Sequence, residues 1–266
     1  MELGLKEKVV LVTGASKGIG KAIAFAMAKE GCRVAISARH KDDLQELADA
    51  IEQSGGTAYA IATDLTKTDE IQKLVDRIVN KWGTIHVLIN NAGTIGSFSP
   101  FEDISLEEWH QVFNLNLFAN VEITRAVLPQ MQQQQWGRII NISSESGLQP
   151  DPTMCHYNSS KAAILNLTKS LSKAYAKDGI LVNAVSPAAI RTQMLEEVFQ
   201  KQAEEKEISL QKAESSFLQE NRPNLVLERA GKPEEVAATV VFLASEAASF
   251  ITGSNYRVDG GSVASI

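Results

Sequence analysis

Short apolar runs alternate along the chain with longer stretches whose apolar positions recur every three to four residues. The first run, Val9-Val10-Leu11-Val12, is continuous, as a strand covered on both faces requires. Ile23, Ala24, Met27 and Ala28 follow at helical spacing, and the pattern stops at Gly31. The alternation then repeats. Strands are predicted at 33–38, 58–62, 86–89, 137–142 and 181–185, with helices at 44–53 and 71–79. Toward the C-terminus Val236, Val240, Val241 and Leu243 predict a buried helix whose first turn holds Pro233, and 255–258 reads as a seventh strand. No linker or repeat interrupts the series, so residues 1–266 read as a single α/β domain. Its expected architecture is doubly wound, a seven-stranded parallel sheet with helices on both faces. Right-handed crossovers make the strand order 3-2-1-4-5-6 the default.

Two stretches carry candidate chemistry. The first strand runs into Thr13-Gly14-Ala15-Ser16-Lys17-Gly18-Ile19-Gly20, immediately before a helix. Glycines there permit a tight turn and let backbone N–H groups and the helix N-terminus approach a phosphate. A glycine-rich turn without a ligand is the alternative. Further on, the apolar run 139–143 ends at Ser144, which places its hydroxyl at the carboxyl edge of the sheet, where such folds hold ligands. Tyr157-Asn158-Ser159-Ser160-Lys161 follows thirteen residues later. On a helix, Tyr157 and Lys161 project from one face at i and i+4. The lysine ammonium is expected to lower the tyrosine pKa from its free value of about 10 and so permit proton exchange near neutrality. Alone, this spacing is common on surface helices.

Composition narrows the function classes. The 266 residues are 44% hydrophobic and 22% charged, with a net charge of −6 and no basic block, which argues against nucleic acid as the main partner. The N-terminal stretch from Met1 to Lys8 has no apolar signal core, and no stretch is long enough to span a membrane, so no membrane partner is expected. Cys32 and Cys155 imply no disulfide framework and suit a reducing cytoplasm. His40, His86, His110 and His156 show no metal-ligand spacing with them, so no metal is expected.

Taken together, these motifs resemble the short-chain dehydrogenase/reductases over nearly the whole chain, from Lys8 to Asp259-Gly260-Gly261. The matching features are the loop 13–20, Asp64-Leu65, Asn90-Asn91-Ala92-Gly93, Asn116, Ser144, Tyr157, Lys161, Asn183 and Ser186-Pro187 with Thr192. The resemblance implies a Rossmann fold, with Asn116, Ser144, Tyr157 and Lys161 as the catalytic set. It assigns the coenzyme to Gly14, Ser16, Lys17, Gly18, Ile19, Gly20, Arg39, Asp64, Leu65, Asn90, Ala92, Gly93, Tyr157, Lys161, Pro187, Ile190 and Thr192. Within that set Asp64 would meet the adenine, unless it is only a helix cap or loop residue. Asn90 would line the adenosine ribose, while Asn91 and Gly93 mainly shape the turn. Asn116, rather than its neighbour Asn114, would sit in a helix distortion holding a water that links the lysine to solvent. Thr192 would meet the nicotinamide carboxamide, or simply cap the next helix.

Charge suggests the coenzyme. An NAD enzyme of this fold generally ends its second strand with an acid. Here Ala38-Arg39 stands in that place, and Arg39 with Lys17 can bind a 2′-phosphate, so NADP(H) is expected unless both are plain surface cations. After strand six, Pro187-Ala188-Ala189 replaces the family's usual Pro-Gly, and since alanine resists positive φ the loop there is expected to differ. Residues 193–220 are polar, with apolar positions at helical spacing, and are expected either to cover the substrate as a lid or to pack as surface helices. Glu145, Met154, Cys155 and His156 are candidates to face the substrate, although side chains so placed often only pack. The resemblance further implies a homotetramer, or a dimer, joined through helices that include the one carrying Tyr157. The implied reaction is hydride transfer between nicotinamide and a carbonyl or secondary alcohol, most like a 3-oxoacyl-thioester reductase. A sugar or polyol dehydrogenase is the alternative within the family, and a non-catalytic dinucleotide sensor the alternative outside it.

Overall fold

Each predicted strand forms because alternate residues find apolar partners on opposite sides. In the computed structural model, which describes residues 2–265, seven parallel strands lie in the order β3-β2-β1-β4-β5-β6-β7. They are β1 Val9–Thr13, β2 Arg33–Ala38, β3 Thr57–Ala62, β4 Val87–Asn90, β5 Gly137–Ile142, β6 Ile180–Pro187 and β7 Asn255–Val258. Val10 pairs with Val34 on one side and Val87 on the other, and Ile140 with Ile89 and Asn183. The order agrees with the crossover rule, and β7 extends it at the far edge. Met1 and Ile266, the ends of the expected domain, lie outside the described residues.

On one face Val10, Val12, Val34, Ile36, Ile140 and Ile142 pack against α1 Gly18–Lys29, α2 Lys41–Gln53 and α9 Pro233–Ala244. On the other, Val9, Leu11, Leu88, Ile139 and Val182 meet α3 Thr68–Trp82 and α5 Ala119–Gln133. Each such aliphatic side chain contributes about 1.5–3 kcal/mol when removed from water. The remaining helices are α4 Leu106–Phe113, α6 Cys155–Tyr175, α7 Gln193–Glu205 and α8 Leu210–Asn221. α3 outruns its predicted span at both ends. Asp69 and Glu70 occupy its first turn, where they suit the helix dipole, and Gly83 stops it in the left-handed conformation at φ 85°. The loops at the carboxyl ends of β1, β4, β5 and β6 carry the motif residues, so the fold gathers them along one sheet edge. Among the described residues, no helix is long and apolar enough to cross a membrane, and no group of three or more His, Cys, Asp or Glu could hold a metal ion.

Candidate active site

Ser144 is the second residue beyond β5, in extended backbone, and its Oγ accepts from the Ser146 amide at 3.1 Å, capping the short turn Glu145–Gly147. The loop then descends to α6, whose first two turns present Tyr157 and Lys161. Lys161 is buried. Its Nζ donates to the Ile142 carbonyl at 2.9 Å, its own carbonyl accepts from Ser143 Oγ at 2.9 Å, and Nζ lies 5.6 Å from the centre of the Tyr157 ring. Gly147 permits this approach, since a Cβ there would stand 2.9 Å from the Lys161 carbonyl carbon.

Burial dominates the electrostatics. It pushes Lys161 down from 10.5 to about 8. It pushes the Tyr157 phenol up. Hydrogen bonding with Ser144 pulls the phenol down, the Glu145 carboxylate raises it further, and the Arg222 guanidinium lowers it. The expectation of a lowered tyrosine pKa is therefore not met here. Desolvation of the phenol outweighs the other influences on it, and the lysine ammonium is directed to a backbone carbonyl.

Asn116 is joined to this pair through the main chain of α6. Between α4 and α5 the helix widens into a π-turn over Asn114–Phe118, the local distortion anticipated for Asn116. Its carboxamide is fully buried: Oδ1 accepts from the Thr94 amide at 2.8 Å, and Nδ2 donates to the Thr94 carbonyl at 2.9 Å and to Ser160 Oγ at 3.0 Å. Ser160 Oγ in turn donates to the Tyr157 carbonyl at 2.7 Å. Asn114, in contrast, is exposed. Asn120 Nδ2 donates to the Asn116 carbonyl at 2.8 Å. Thr94, Asn120 and Ser160 were missed by sequence reasoning. A second buried amide four residues beyond Asn116 was the signal for Asn120.

The glycine loop is shaped by contact. Gly14 has φ +61°, and a Cβ there would lie 2.8 Å from Ala92 Cα, while one on Gly20 would lie 2.3 Å from the Gly14 carbonyl. Thr13 Oγ1 accepts from the amides of Asn91 and Ala92, and Asn91 Nδ2 donates to the carbonyls of Thr13 and Gly14, so Asn91 is structural as expected. Helix α1 starts with no side-chain cap and no acid in its first turn. Its N–H groups at Gly18, Ile19 and Gly20 suit a diphosphate, and Ser16 lies in the turn before them. On this test the loop fits a dinucleotide. A Cβ on Gly18 would stand 3.0 Å from Thr192 Cγ2, which sets Thr192 against the loop. The Thr192 side chain makes no cap hydrogen bond, so capping α7 is not its role. Gly93 lies between the Asn116 carboxamide and the Lys161 ammonium, 3.1 Å and 3.5 Å from the place of its missing Cβ.

Other assignments need correction. The Asn90 side chain does not face a ribose. Its carboxamide donates to Thr124 Oγ1 at 3.2 Å and Asn141 Oδ1 at 2.8 Å inside the core. Ile190 and Leu65 are also buried, one in each of the two apolar clusters. Pro187 ends β6, paired with Val258. Ala188 is not among the non-glycine residues with positive φ, in line with the expectation that alanine resists that conformation in this loop. Arg39 is exposed beyond β2, near enough to Asp64 beyond β3 to help hold its carboxyl low, although hydrogen bonds from Thr66 do most of this. Lys17 is exposed and lies 3.7 Å from Asp43 of α2.

Of the four substrate-facing candidates, Met154 and His156 are buried, with His156 Nε2 3.3 Å from Glu108 Oε1 of α4. Cys155 Sγ is 3.4 Å from the Pro152 carbonyl. Glu145 alone acts on Tyr157. Helices α7 and α8 pack on each other with Phe199 fully buried, its ring 5.5 Å from Phe217 edge to face.

Comparison with known proteins agrees with this fold. The model of the short chain dehydrogenase family matches residues 8–203. The chain is 37% identical over 266 residues to the 3-oxoacyl-acyl-carrier-protein reductase FabG of Aquifex aeolicus, covering 98% of this chain and 99% of that one. It superposes on L-sorbose reductase from Gluconobacter frateurii, solved with NADPH and L-sorbose, with a TM-score of 0.94, 32% identity and full coverage of both chains. A 7α-hydroxysteroid dehydrogenase solved with NADH gives a TM-score of 0.87 at 32% identity, over 98% of this chain and 96% of that one.

Proposed function

The chain belongs to the short-chain dehydrogenase/reductase family, and from that premise we propose that it is an NADP(H)-dependent oxidoreductase interconverting a ketone and a secondary alcohol. The observation that carries the reading is the meeting of Ser144, Tyr157 and Lys161 at the carboxyl end of β5, with Asn116 tied in through Ser160. When bound, the nicotinamide supplies or accepts the hydride. The chain's own groups manage the oxygen and its proton. Ser144 donates to the substrate oxygen as charge develops on it. Tyr157 delivers the proton in reduction and removes it in oxidation. Lys161 binds the nicotinamide ribose, and Asn116 supports the path by which protons reach the lysine from solvent.

Arg39 and Lys17 support NADP(H) over NAD(H), because each offers a cation where a 2′-phosphate would lie. A 3-oxoacyl thioester is the substrate class the 37% identity to FabG favours. A sugar or polyol is the second reading, favoured by the fit to L-sorbose reductase along the entire chain. The α7–α8 pair acts as the lid over this substrate. The exposed Phe101, Leu106 and Phe118 around α4 and the π-turn support assembly into a tetramer or a dimer. Cys32 and Cys155 are free thiols, in keeping with a reducing cytoplasm.

The test is purified protein with NADPH and with NADH, followed by absorbance against 3-oxoacyl thioesters, diketones, quinones and ketoses. Turnover of one class with NADPH is the expected result. Tight NADPH binding with no turnover on any class would favour a sensor.

A further inference from the structure

The turn after Ser144 buries a carboxylate that the reaction does not call for. Glu145 is only 3% exposed, yet it stands beside the catalytic serine. Its Oε1 accepts from Arg222 Nε at 2.5 Å, and its Oε2 is buried with no hydrogen-bond partner. A carboxylate in such a place is strongly unfavourable unless a cation stays on it. Arg222 comes from a distant part of the chain, the residue that ends α8. It is also held from a second direction. Its Nη1 donates to the Asn221 carbonyl at 2.6 Å and lies 3.6 Å from Asp151 Oδ2. Asp151 in turn organises the start of α6. Its carboxylate accepts from the Thr153 amide and hydroxyl, and its carbonyl accepts from Asn158 Nδ2 at 2.6 Å. One guanidinium therefore bridges Glu145 and Asp151, which both lie on the segment joining Ser144 to Tyr157.

We propose that Arg222 is a positioning residue for Tyr157, neutralising the buried Glu145 carboxylate beside the phenol and bracing the loop between the two catalytic hydroxyls. The inference rests on Tyr157 being the proton donor. The charged groups around that phenol come from three places: Lys161 on its own helix, Glu145 on the turn after β5, and Arg222 at the end of α8. The neighbouring His156 turns to Glu108 on α4. Of these, Glu145 and Arg222 act in opposite senses on the phenol, so removing either one unbalances it. Removing both leaves no uncompensated buried charge beside the phenol, while Asp151, which loses its cation, is partly exposed to solvent.

The phenol titration can be followed in the apoprotein by ultraviolet difference spectroscopy, with the Tyr157→Phe spectrum subtracted, and the pH limb of kcat by turnover. Arg222→Ala is expected to move both to higher pH by about one unit, and Glu145→Gln to move both lower. The Arg222→Ala/Glu145→Gln double variant should return close to wild type, and Arg222→Lys should move little. A purely structural arginine would lower activity in the single and double variants alike without moving the limb. That outcome, in variants that keep their circular dichroism and NADPH binding, would overturn the proposal. If instead the wild-type limb is the same in Tyr157→Phe, the proton-donor reading itself fails.

Discussion

Burial acts in opposite directions on the two members of the Tyr157–Lys161 pair, because each resists the charged form it would otherwise take. For the lysine the consequence is measurable. Its folded pKa of about 8 lies below its ordinary 10.5, so below about pH 8 both states carry the proton and the folded state bears the full cost of burying it. Between about 8 and 10.5 the unfolded chain binds more protons, so stability rises with pH. Lys161→Met, of similar volume, should therefore be more stable than wild type near neutrality by roughly 3 kcal/mol, a gap that closes as pH rises toward 10.5. Urea midpoints across that range would check it, and a gap independent of pH would contradict the buried-charge account. Arg39 gives the second prediction at this scale. Losing a charge-assisted contact to a 2′-phosphate costs about 1–3 kcal/mol, so Arg39→Ala should weaken NADPH roughly ten- to a hundredfold and leave NADH nearly unchanged. Binding titrations with both coenzymes decide this, and equal losses would remove the charge argument. Single residues were legible where their environment was implied by spacing. Asn116 stood out as an amide in an apolar helix, and Tyr157 with Lys161 by their i, i+4 interval. The pairing of Glu145 with Arg222 was not, because the two lie 77 residues apart and nothing local in either stretch names the other.

At the scale of elements, polar runs and apolar periodicity pull in different directions in the α7–α8 segment. Its high polarity suggests a mobile cover, yet Phe199 is fully buried and two ion pairs tie it down, Arg191 to Glu214 and Arg222 to Glu145. Hydrogen exchange should accordingly be slow around Phe199 and Leu218 and fast across 206–209 in the apoprotein. Addition of NADPH and substrate should slow the whole of 193–220 if the segment closes over the site. Full protection before any ligand is added would make it fixed structure. The glycine loop was readable as an element because its glycines precede a helix with an uncapped N-terminus. The roles of Asn90, Leu65 and Ile190 were not. A motif gives the position of a residue, whereas the face to which its side chain turns depends on strand register and on what packs there. In this chain Thr124 and Asn141 claim the Asn90 amide.

For the whole molecule, continuous apolar runs separated by helical periodicity left few topologies open, and the crossover rule selected one of them. The sheet order follows from that, with β5 wholly buried and the edge strand β7 partly exposed. Exposed aromatic residues around α4 predict a second property of the whole particle. Light scattering should give about four times, or twice, the 28.9 kDa chain mass, and a monomer would leave Phe101 and Phe118 without a role. The account as a whole stands on proton transfer by one phenol. Its most direct test is Tyr157→Phe beside wild type, with NADPH and the best ketone from the substrate panel. General acid catalysis contributes about 10²–10⁴-fold, so kcat should fall by at least about a hundredfold while NADPH affinity and thermal stability are kept. A Tyr157→Phe enzyme that turns over near the wild-type rate would contradict the account.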